Sequence, residues 1–269
     1  LNMLIAVDEE GGTVNRVSIY KQYRKSPFLS PQKLNSKGGL SNIRKDTKSK
    51  AKLLLDLGIN TNLAPVADTP YSKSDYIYYR TFSTSAKKNS KYIKTVIKEM
   101  GKNNLVSTLK HFPGYGNNSN THTGMSVDKR SWESFEERDL KPFKAGIDAG
   151  VPFLMVSHNV IDDFDKGVPA SLSKKLHNYI RNDMNYDGII LCDGLGMSGV
   201  RDYVGGDKGE VAVRAVMAGN DMLCATDVGV QLRAIVKAVN DGRIELSQIE
   251  DSVTRIIMTK INYGLIEKE

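Results

Sequence analysis

The amino-acid sequence predicts a parallel α/β fold made of repeated β/α units. Short apolar runs alternate with longer stretches of helical periodicity, a rhythm that is typical of parallel sheets. The runs lack the apolar–polar alternation of a half-exposed strand, as expected for strands that helices cover on both faces. A chain of 269 residues is long enough to bury a complete core, and we interpret residues 1–269 as a single domain.

The predicted elements follow one another regularly along the chain. The predicted strands span residues 3–7, 62–66, 105–109, 153–157, 188–192 and 221–225. The predicted helices span residues 41–57, 84–100, 131–149, 171–184, 209–218, 228–240 and 247–263. Glycine is common directly after a helix, and it follows four of these at Gly58, Gly101, Gly150 and Gly264. Ser131 is a predicted N-cap, and Ser247 with Glu250 is a predicted capping box.

Polar residues at the strand ends favour a barrel over an open sheet. They are Asp8, Asp68, Lys110, His111, His158 and Asp193. The carboxyl ends of barrel strands converge on one face, whereas an open sheet spreads them along a line. No Gly-x-Gly-x-x-Gly or Walker-type loop is present, and the pair Gly11 and Gly12 is weak evidence for phosphate binding.

Composition excludes several classes of function. The formal charge of +7 comes from lysines scattered over predicted helices, which indicates solvated faces rather than a nucleic-acid site. No run approaches the roughly 18 apolar residues of a membrane span. The two cysteines, Cys192 and Cys224, lie in apolar runs and are predicted to be buried thiols without disulfide or metal-ligand spacing. We expect no cofactor and no metal, and the compartment stays open between cytoplasm and cell envelope.

Three stretches carry groups suited to chemistry. Asp193 follows a buried strand and precedes a glycine, so it is either a nucleophile or base, or an N-cap. His122 lies in a loop rich in glycine and asparagine, where it is either a proton shuttle or merely exposed. The acids Asp8, Glu9 and Glu10 have no partner at metal-site spacing, which favours hydrogen bonds to sugar hydroxyls.

Eight blocks, in order, resemble family 3 glycoside hydrolases, specifically the single-domain bacterial β-N-acetylhexosaminidases that act on peptidoglycan fragments. They are residues 7–12 (VDEEGG), 62–68 (NLAPVAD), 80–82 (RTF), 110–114 (KHFPG), 169–173 (PASLS), 187–190 (DGII), 193–197 (DGLGM) and 218–222 (AGNDM). The resemblance implies a TIM-like (β/α)8 barrel and a retaining mechanism through a covalent glycosyl-enzyme.

The resemblance also implies a role for individual residues. Asp193 takes the position of the nucleophile, and His122 takes that of the acid/base. Four residues match positions that hold the terminal sugar: Asp8, Arg80, Lys110 and His111. Asn120 and Met197 match supporting positions.

The chain departs from the family pattern at three places. Asn120 stands where an acid usually precedes the loop histidine by two residues, so the histidine lacks a charged partner. Thr13 stands where an arginine often follows the two glycines, and nearby Arg16 is not assigned its role. The family's first strand and helix have no counterpart, which implies a barrel lacking its first β/α unit, with an open edge. That unit is cleaved but retained, disordered, supplied by a partner chain or outside this sequence.

The resulting prediction is a retaining exo-β-N-acetylglucosaminidase that removes terminal N-acetylglucosamine from peptidoglycan fragments or chitin-derived oligosaccharides. One alternative is another specificity of the family, β-glucosidase or β-xylosidase. A second is a sugar-binding protein with weak catalysis, which Asn120 and the missing unit motivate. We expect a monomer with a saccharide substrate, associated with its missing segment if that is retained, and no nucleic-acid partner or membrane span.

Overall fold

The computed structural model describes residues 3–118 and 124–267, which form an α/β fold of two compact units. The first unit comprises Leu1–Asn117, Glu136–Phe153 and Thr259–Glu269. The second comprises Asn118–Phe135 and Leu154–Met258. The predicted α/β class is confirmed.

The strands and helices are numbered here in chain order. The strands are β1 Ala6–Val7, β2 Thr61–Asn62, β3 Val106–Phe112, β4 Val127–Asp128, β5 Phe153–Val156, β6 Val160–Ile161, β7 Ile189–Cys192 and β8 Met222–Leu223. The helices are α1 Pro31–Asp56, α2 Ala86–Lys102, α3 Trp132–Ser134, α4 Leu140–Ile147, α5 Lys174–Asn178, α6 Ser198–Arg201, α7 Lys208–Ala218, α8 Val228–Asn240 and α9 Leu246–Asn262. One π-helical turn, Phe135–Asp139, joins α3 to α4, and another, Tyr179–Asp183, follows α5.

In the first unit, strands β1, β2 and β3 are parallel neighbours in that order. Asn62 pairs with Val7 on one side and with Ser107 on the other. The β2–β3 ladder continues beyond the end of β2, where Val66 bridges Lys110. Every residue of β3 is buried, in agreement with a strand covered on both faces.

In the second unit, β5, β7 and β8 are neighbours in that order, and β7 pairs with β8 in parallel. Short strands β4 and β6 form a separate parallel pair. Helix α7 packs against α8 and closes a core that includes Cys192, Leu195, Val200 and Val211. This core fixes the carboxyl end of β7.

The six predicted strands and seven predicted helices are confirmed, with shifted boundaries. Helix α1 begins ten residues before its prediction because it is kinked at Gly38 and Gly39, which interrupts the periodicity. Strands β4 and β6 and helix α6 were not predicted, since segments of two to four residues carry no periodic signal.

The predicted caps had mixed outcomes. Ser131 accepts a hydrogen bond from the Ser134 amide at 3.3 Å, which confirms that N-cap. Gly58, Gly150 and Gly264 have left-handed φ angles of 75°, 79° and 66°, as expected after a helix. The C-cap at Gly101 was wrong, because α2 continues to Lys102. The capping box at Ser247 was also wrong, because α9 begins one residue earlier.

Two further predictions from composition are tested by the structure. No helix in the described ranges is long and apolar enough to cross a membrane. Cys192 and Cys224 do not form a disulfide, and only Cys192 is buried, whereas Cys224 is half-buried. The prediction of two buried thiols was therefore correct for one of them.

Helix α4 lies unusually close to strand β3. A Cβ atom on Gly146 of α4 would lie 2.5 Å from Leu109 Cδ2 and 3.1 Å from Ile93 Cγ2. Leu109 and Ile93 are both fully buried, so neither has room to move away. Glycine at position 146 is thus required by packing.

We predict that Gly146→Ala destabilises the protein by about 1–3 kcal/mol through overpacking, although alanine favours helices. Gly101→Ala is the matched control, since it is also helical but a Cβ there meets nothing within 4 Å. The control is expected to gain about 0.5–1 kcal/mol. Urea unfolding measures both, and a stabilised Gly146→Ala protein would contradict the packing of α4 on β3.

Candidate active site

The three acids after β1 have different surroundings. The Asn62 side chain holds their backbone, since its Oδ1 accepts from the Glu9 amide at 3.0 Å and its Nδ2 donates to the Glu9 carbonyl at 3.1 Å. The Glu9 carboxylate is fully buried and accepts from the backbone amides of Arg16 and Val17, each at 2.8 Å. It also accepts from the Ser18 hydroxyl. Glu9 therefore shapes the loop, which leaves Asp8 and Glu10 for the site.

The glycine pair after these acids is required by the turn. Gly11 and Gly12 have φ angles of 102° and 69°, which favour glycine. A Cβ atom on Gly11 would lie 2.3 Å from the Leu29 carbonyl oxygen, and one on Gly12 would lie 2.6 Å from Ser30 Cβ. The pair lets the chain turn against the segment before α1, which explains it without phosphate binding.

Glu10 holds two buried cations. Arg80 donates from Nη2 to Glu10 Oε1 at 2.7 Å and from Nε to Oε2 at 3.0 Å, a bidentate pair. Lys110 Nζ lies 2.7 Å from the same Oε1. The exposed fractions of these side chains are 2% for Glu10, 3% for Lys110 and 16% for Arg80. One buried carboxylate thus fixes the positions of both cationic groups.

Lys110 also contacts Asp8, and this contact leads toward solvent. Its Nζ donates to Asp8 Oδ1 at 2.6 Å. The Asp8 side chain is 35% exposed, far more than Lys110 or Glu10. Asp8 is therefore the acceptor of this network that a ligand from solution reaches first.

The charges of this network stabilise one another. Burial alone would raise the pKa of the Glu10 carboxyl, but Lys110 and Arg80 outweigh it and lower the pKa to about 2. Burial would lower the pKa of Lys110, but Glu10 and then Asp8 raise it above its ordinary value. For Arg80, burial is likewise outweighed by Glu10, and the pKa is raised. All three groups are therefore ionised at neutral pH.

His111 connects this network to Asp68. Its Nδ1 lies 2.8 Å from Asp68 Oδ2, and its Nε2 lies 3.1 Å from Arg80 Nη2. Because a guanidinium only donates, Nε2 accepts from Arg80 and Nδ1 carries the proton donated to Asp68. Asp68 also accepts from the backbone amides of His111 at 3.1 Å and Tyr115 at 2.7 Å. The buried imidazole thus orients the Arg80 guanidinium through its contact with Nη2.

This arrangement suits a neutral, polyhydroxylated ligand better than an ion. The carboxylates of Asp8 and Glu10 are paired with Lys110 and Arg80, so neither cation is left uncompensated to attract an anion. Arg80 Nη1 has no hydrogen-bond partner within residues 3–118 and 124–267, and so it remains available as a donor. Among the described residues, no group of three or more His, Cys, Asp or Glu side chains is arranged to hold a metal ion.

Asp193 lies in the second unit, directly after β7. Its backbone amide donates to the Val156 carbonyl at 3.0 Å, and its Oδ1 accepts from the Gly194 amide at 2.7 Å. The carboxylate is half-buried at the carboxyl end of the strand. It is therefore held in a fixed orientation by its own backbone while remaining accessible.

The backbone after Asp193 is held by a buried histidine. His158 is fully buried, with Nε2 3.0 Å from the Gly194 carbonyl oxygen and Nδ1 2.7 Å from Ser171 Oγ. The Met197 amide donates to the same Gly194 carbonyl at 3.0 Å, and the Met197 side chain is buried. His158 and Met197 therefore support the turn that follows Asp193.

The structure brings together four of the predicted site residues in the first unit: Asp8, Arg80, Lys110 and His111. Asp193 and Met197 lie in the second unit. Asn120 and His122 lie outside the described residues. Next to that segment, Asn118 donates to Asp128 Oδ2 at 2.7 Å, and Arg130 also pairs with Asp128.

Sequence reasoning missed two central residues of the site. Glu10 was grouped with its neighbours, and no pattern within three consecutive acids distinguishes the one that binds the cations. Asp68 was placed at a strand end but received no role. Its position after β2, beside the strand that carries Lys110 and His111, is the signal that could have found it.

The pH dependence of stability tests the Glu10 network. A carboxyl with a lowered folded-state pKa stabilises the protein above its ordinary pKa near 4.5, and this contribution is lost as the pH falls toward 2. We predict that Glu10→Gln costs about 3–5 kcal/mol at pH 7, because it leaves buried cations uncompensated. The difference from wild type is expected to shrink by about 3 kcal/mol between pH 5 and pH 2.

Urea unfolding across this pH range measures the difference. Glu245→Gln is the matched control, because Glu245 is exposed, and its effect is expected to stay within about 0.5 kcal/mol throughout. A pH-independent difference for Glu10→Gln would contradict the lowered pKa.

Comparisons with known proteins agree with this geometry. The family model described as the glycosyl hydrolase family 3 N terminal domain matches residues 1–259. A β-hexosaminidase of Hydrogenovibrio crunogenus is 28% identical over 272 residues, which cover 93% of this chain and 75% of the relative. A β-hexosaminidase of Shewanella frigidimarina is 32% identical over 236 residues, which cover 85% of this chain and 68% of the relative.

A solved structure shares the fold. The glycoside hydrolase family 3 β-N-acetylglucosaminidase from a Paenibacillus species matches 100% of this chain with a TM-score of 0.90 at 26% identity. The chain spans 52% of the length of that protein. Because one family model covers nearly its whole length, the chain belongs to glycosyl hydrolase family 3, which confirms the family and the glycoside hydrolase class predicted from its motifs.

Proposed function

We propose that this protein is a retaining exo-β-N-acetylglucosaminidase acting on peptidoglycan fragments or chitin-derived oligosaccharides. The observation that carries the proposal is the network in which the buried Glu10 carboxylate holds Arg80 and Lys110, and Lys110 in turn holds the partly exposed Asp8. The printed names of the relatives, β-hexosaminidase and β-N-acetylglucosaminidase, support the sugar class.

The network supplies the donors and acceptors that a terminal sugar needs. Asp8 is partly exposed and accepts hydrogen bonds from sugar hydroxyls, while Arg80 Nη1 donates to a sugar oxygen. Glu10 fixes Arg80, and it also fixes the Lys110 group that holds Asp8, so little side-chain entropy is lost when a sugar binds. His111 acts through Arg80 in this account, and its predicted direct contact with sugar stays a prediction.

Asp193 is the proposed nucleophile. Its carboxylate attacks the anomeric carbon, the aglycone leaves, and a covalent glycosyl-enzyme forms that water then hydrolyses. The Gly194 amide hydrogen-bonds the carboxylate, which supports its ionised form and holds its orientation. Met197 packs below this turn and keeps it in place.

His122 is the proposed acid/base. It protonates the leaving oxygen in the first step and deprotonates water in the second. An asparagine such as Asn120 can accept a hydrogen bond in the place of the usual acid, but its side chain has no charge with which to stabilise the imidazolium. This departure favours a second candidate function, a sugar-binding protein with weak catalysis.

The proposed architecture is the family's (β/α)8 barrel, completed by a further β/α unit beside β1. Two apolar side chains at this edge support it, because Met3 is 71% exposed and Ile5 is 45% exposed. A further β/α unit packed at this edge would cover both. The protein is proposed to work as a monomer.

Substrate preference tests the proposed specificity. Aryl N-acetylglucosaminide is expected to be hydrolysed with a kcat/KM at least about 100-fold above that of the aryl glucoside or xyloside, since an unmatched polar group in the site is costly. A preference for the glucoside would contradict the proposal. Saturable sugar binding without turnover would favour the binding protein instead.

Leaving-group dependence tests the role of His122. We predict that His122→Ala lowers kcat/KM by about 100-fold or more for disaccharides, which need a proton on the leaving oxygen. Aryl glycosides with strongly acidic leaving groups should lose much less. Equal losses of kcat/KM for both substrate types in His122→Ala would contradict the acid/base role.

Asn120→Asp should raise the rate of hydrolysis by supplying the missing charge.

A further inference from the structure

An open cavity of about 1030 Å³ lies beside α1 in the first unit. The segment before the helix and both sides of the kink in α1 line it, together with Gly12, Thr13 and Tyr79. Its lining does not include Asp8, Glu10, Lys110 or His111. The cavity therefore borders the loop that follows Glu10, but none of the charged groups of the proposed sugar site line it.

Positively charged side chains outnumber negatively charged ones in the lining of the cavity. Four cationic side chains line it, namely Arg24, Lys33, Lys37 and Lys45. Asp46 is the single acid in the lining, and its Oδ2 is paired with Lys50 Nζ at 2.7 Å. Within the part of the chain that the structure describes, no carboxylate forms an ion pair with any of the four cations. Such a concentration of uncompensated positive charge attracts anions.

Arg24 gives the cavity a fixed donor as well as a charge. Its guanidinium lies 4.0 Å from the centre of the Phe28 ring, and its Nη1 donates to Ser49 Oγ at 3.3 Å. Its Nε is buried and has no hydrogen-bond acceptor among the described residues. A buried donor without an acceptor is unfavourable. A shift of the Arg24 side chain that brings this atom to an oxyanion in the cavity would supply the missing bond.

We propose that this cavity binds a ligand bearing two or more oxyanion groups, phosphates or carboxylates. Arg24 contacts one group through its planar fork, and the exposed ammonium groups of Lys33 and Lys37, one helical turn apart, contact the next. The proposal concerns binding only and does not depend on the proposed function.

Calorimetric titration with inorganic pyrophosphate and with citrate, at matched ionic strength, tests this site. Saturable binding is expected, and the tighter of the two probes distinguishes a phosphate ligand from a carboxylate ligand. Lys33→Gln/Lys37→Gln should weaken binding about 10-fold or more. Arg24→Lys, which keeps the charge but loses the fork, should also weaken it.

Lys87→Gln/Lys91→Gln is the matched control, because it removes two exposed lysines of the same spacing from α2. This control should leave the affinity within about twofold of wild type, since single charges outside the cavity are screened. Equal loss of affinity in the two double variants would mean that the anion responds only to the net charge of the protein, and it would overturn the proposal. Absence of saturable binding to wild type would overturn it as well.

Discussion

The pairing of one buried carboxylate with two buried cations is the constraint on which the rest of the proposed sugar site depends. Glu10 binds Arg80 through both oxygens and Lys110 through one, with all three groups largely withdrawn from water. A buried charge is tolerated only when it is paired and hydrogen-bonded, so each member requires the others. Lys110 then holds Asp8, which is partly exposed to solvent. Arg80 contacts His111, which in turn contacts Asp68.

Hydrogen bonds to the backbone at the ends of the parallel strands β1, β2 and β3 hold Glu10 and Lys110 in these positions. The side chain of Asn62 on β2 holds the backbone after β1, and the bridge from Val66 to Lys110 keeps the end of β3 in register. A one-residue slip would turn Lys110 away from Glu10, because successive strand side chains point to opposite faces. In the second unit, His158 performs a similar task for the backbone beside Asp193. Each unit thus positions its own polar groups with buried hydrogen bonds.

The elements followed from the sequence, because apolar runs and glycine positions are local signals. Polar residues at strand ends indicated Asp8, Lys110 and Asp193 as candidate site residues, whereas Arg80 was indicated only by the family resemblance. Gly146 and Glu10 did not follow, for different reasons. The close packing of α4 on β3 depends on a distance between elements far apart in the chain. The distinction between Glu9, which binds backbone amides, and Glu10, which binds cations, depends on torsion angles at one strand end. The kink in α1 was invisible because two glycines interrupt the helical period.

The proposed function requires two roles: the Glu10 network binds the sugar, and Asp193 forms a covalent bond to the anomeric carbon. Peptide mass spectrometry after incubation with a 5-fluoro N-acetylglucosaminyl fluoride tests both roles. This probe keeps the 2-acetamido group and has a good leaving group, while its ring fluorine disfavours the oxocarbenium-like transition state and slows hydrolysis of the glycosyl-enzyme. We expect a glycosyl adduct on the peptide that contains Asp193 in the wild type, and slower formation of the same adduct in Arg80→Lys. An adduct on another carboxylate such as Asp8, or saturable sugar binding with no adduct at all, would contradict it.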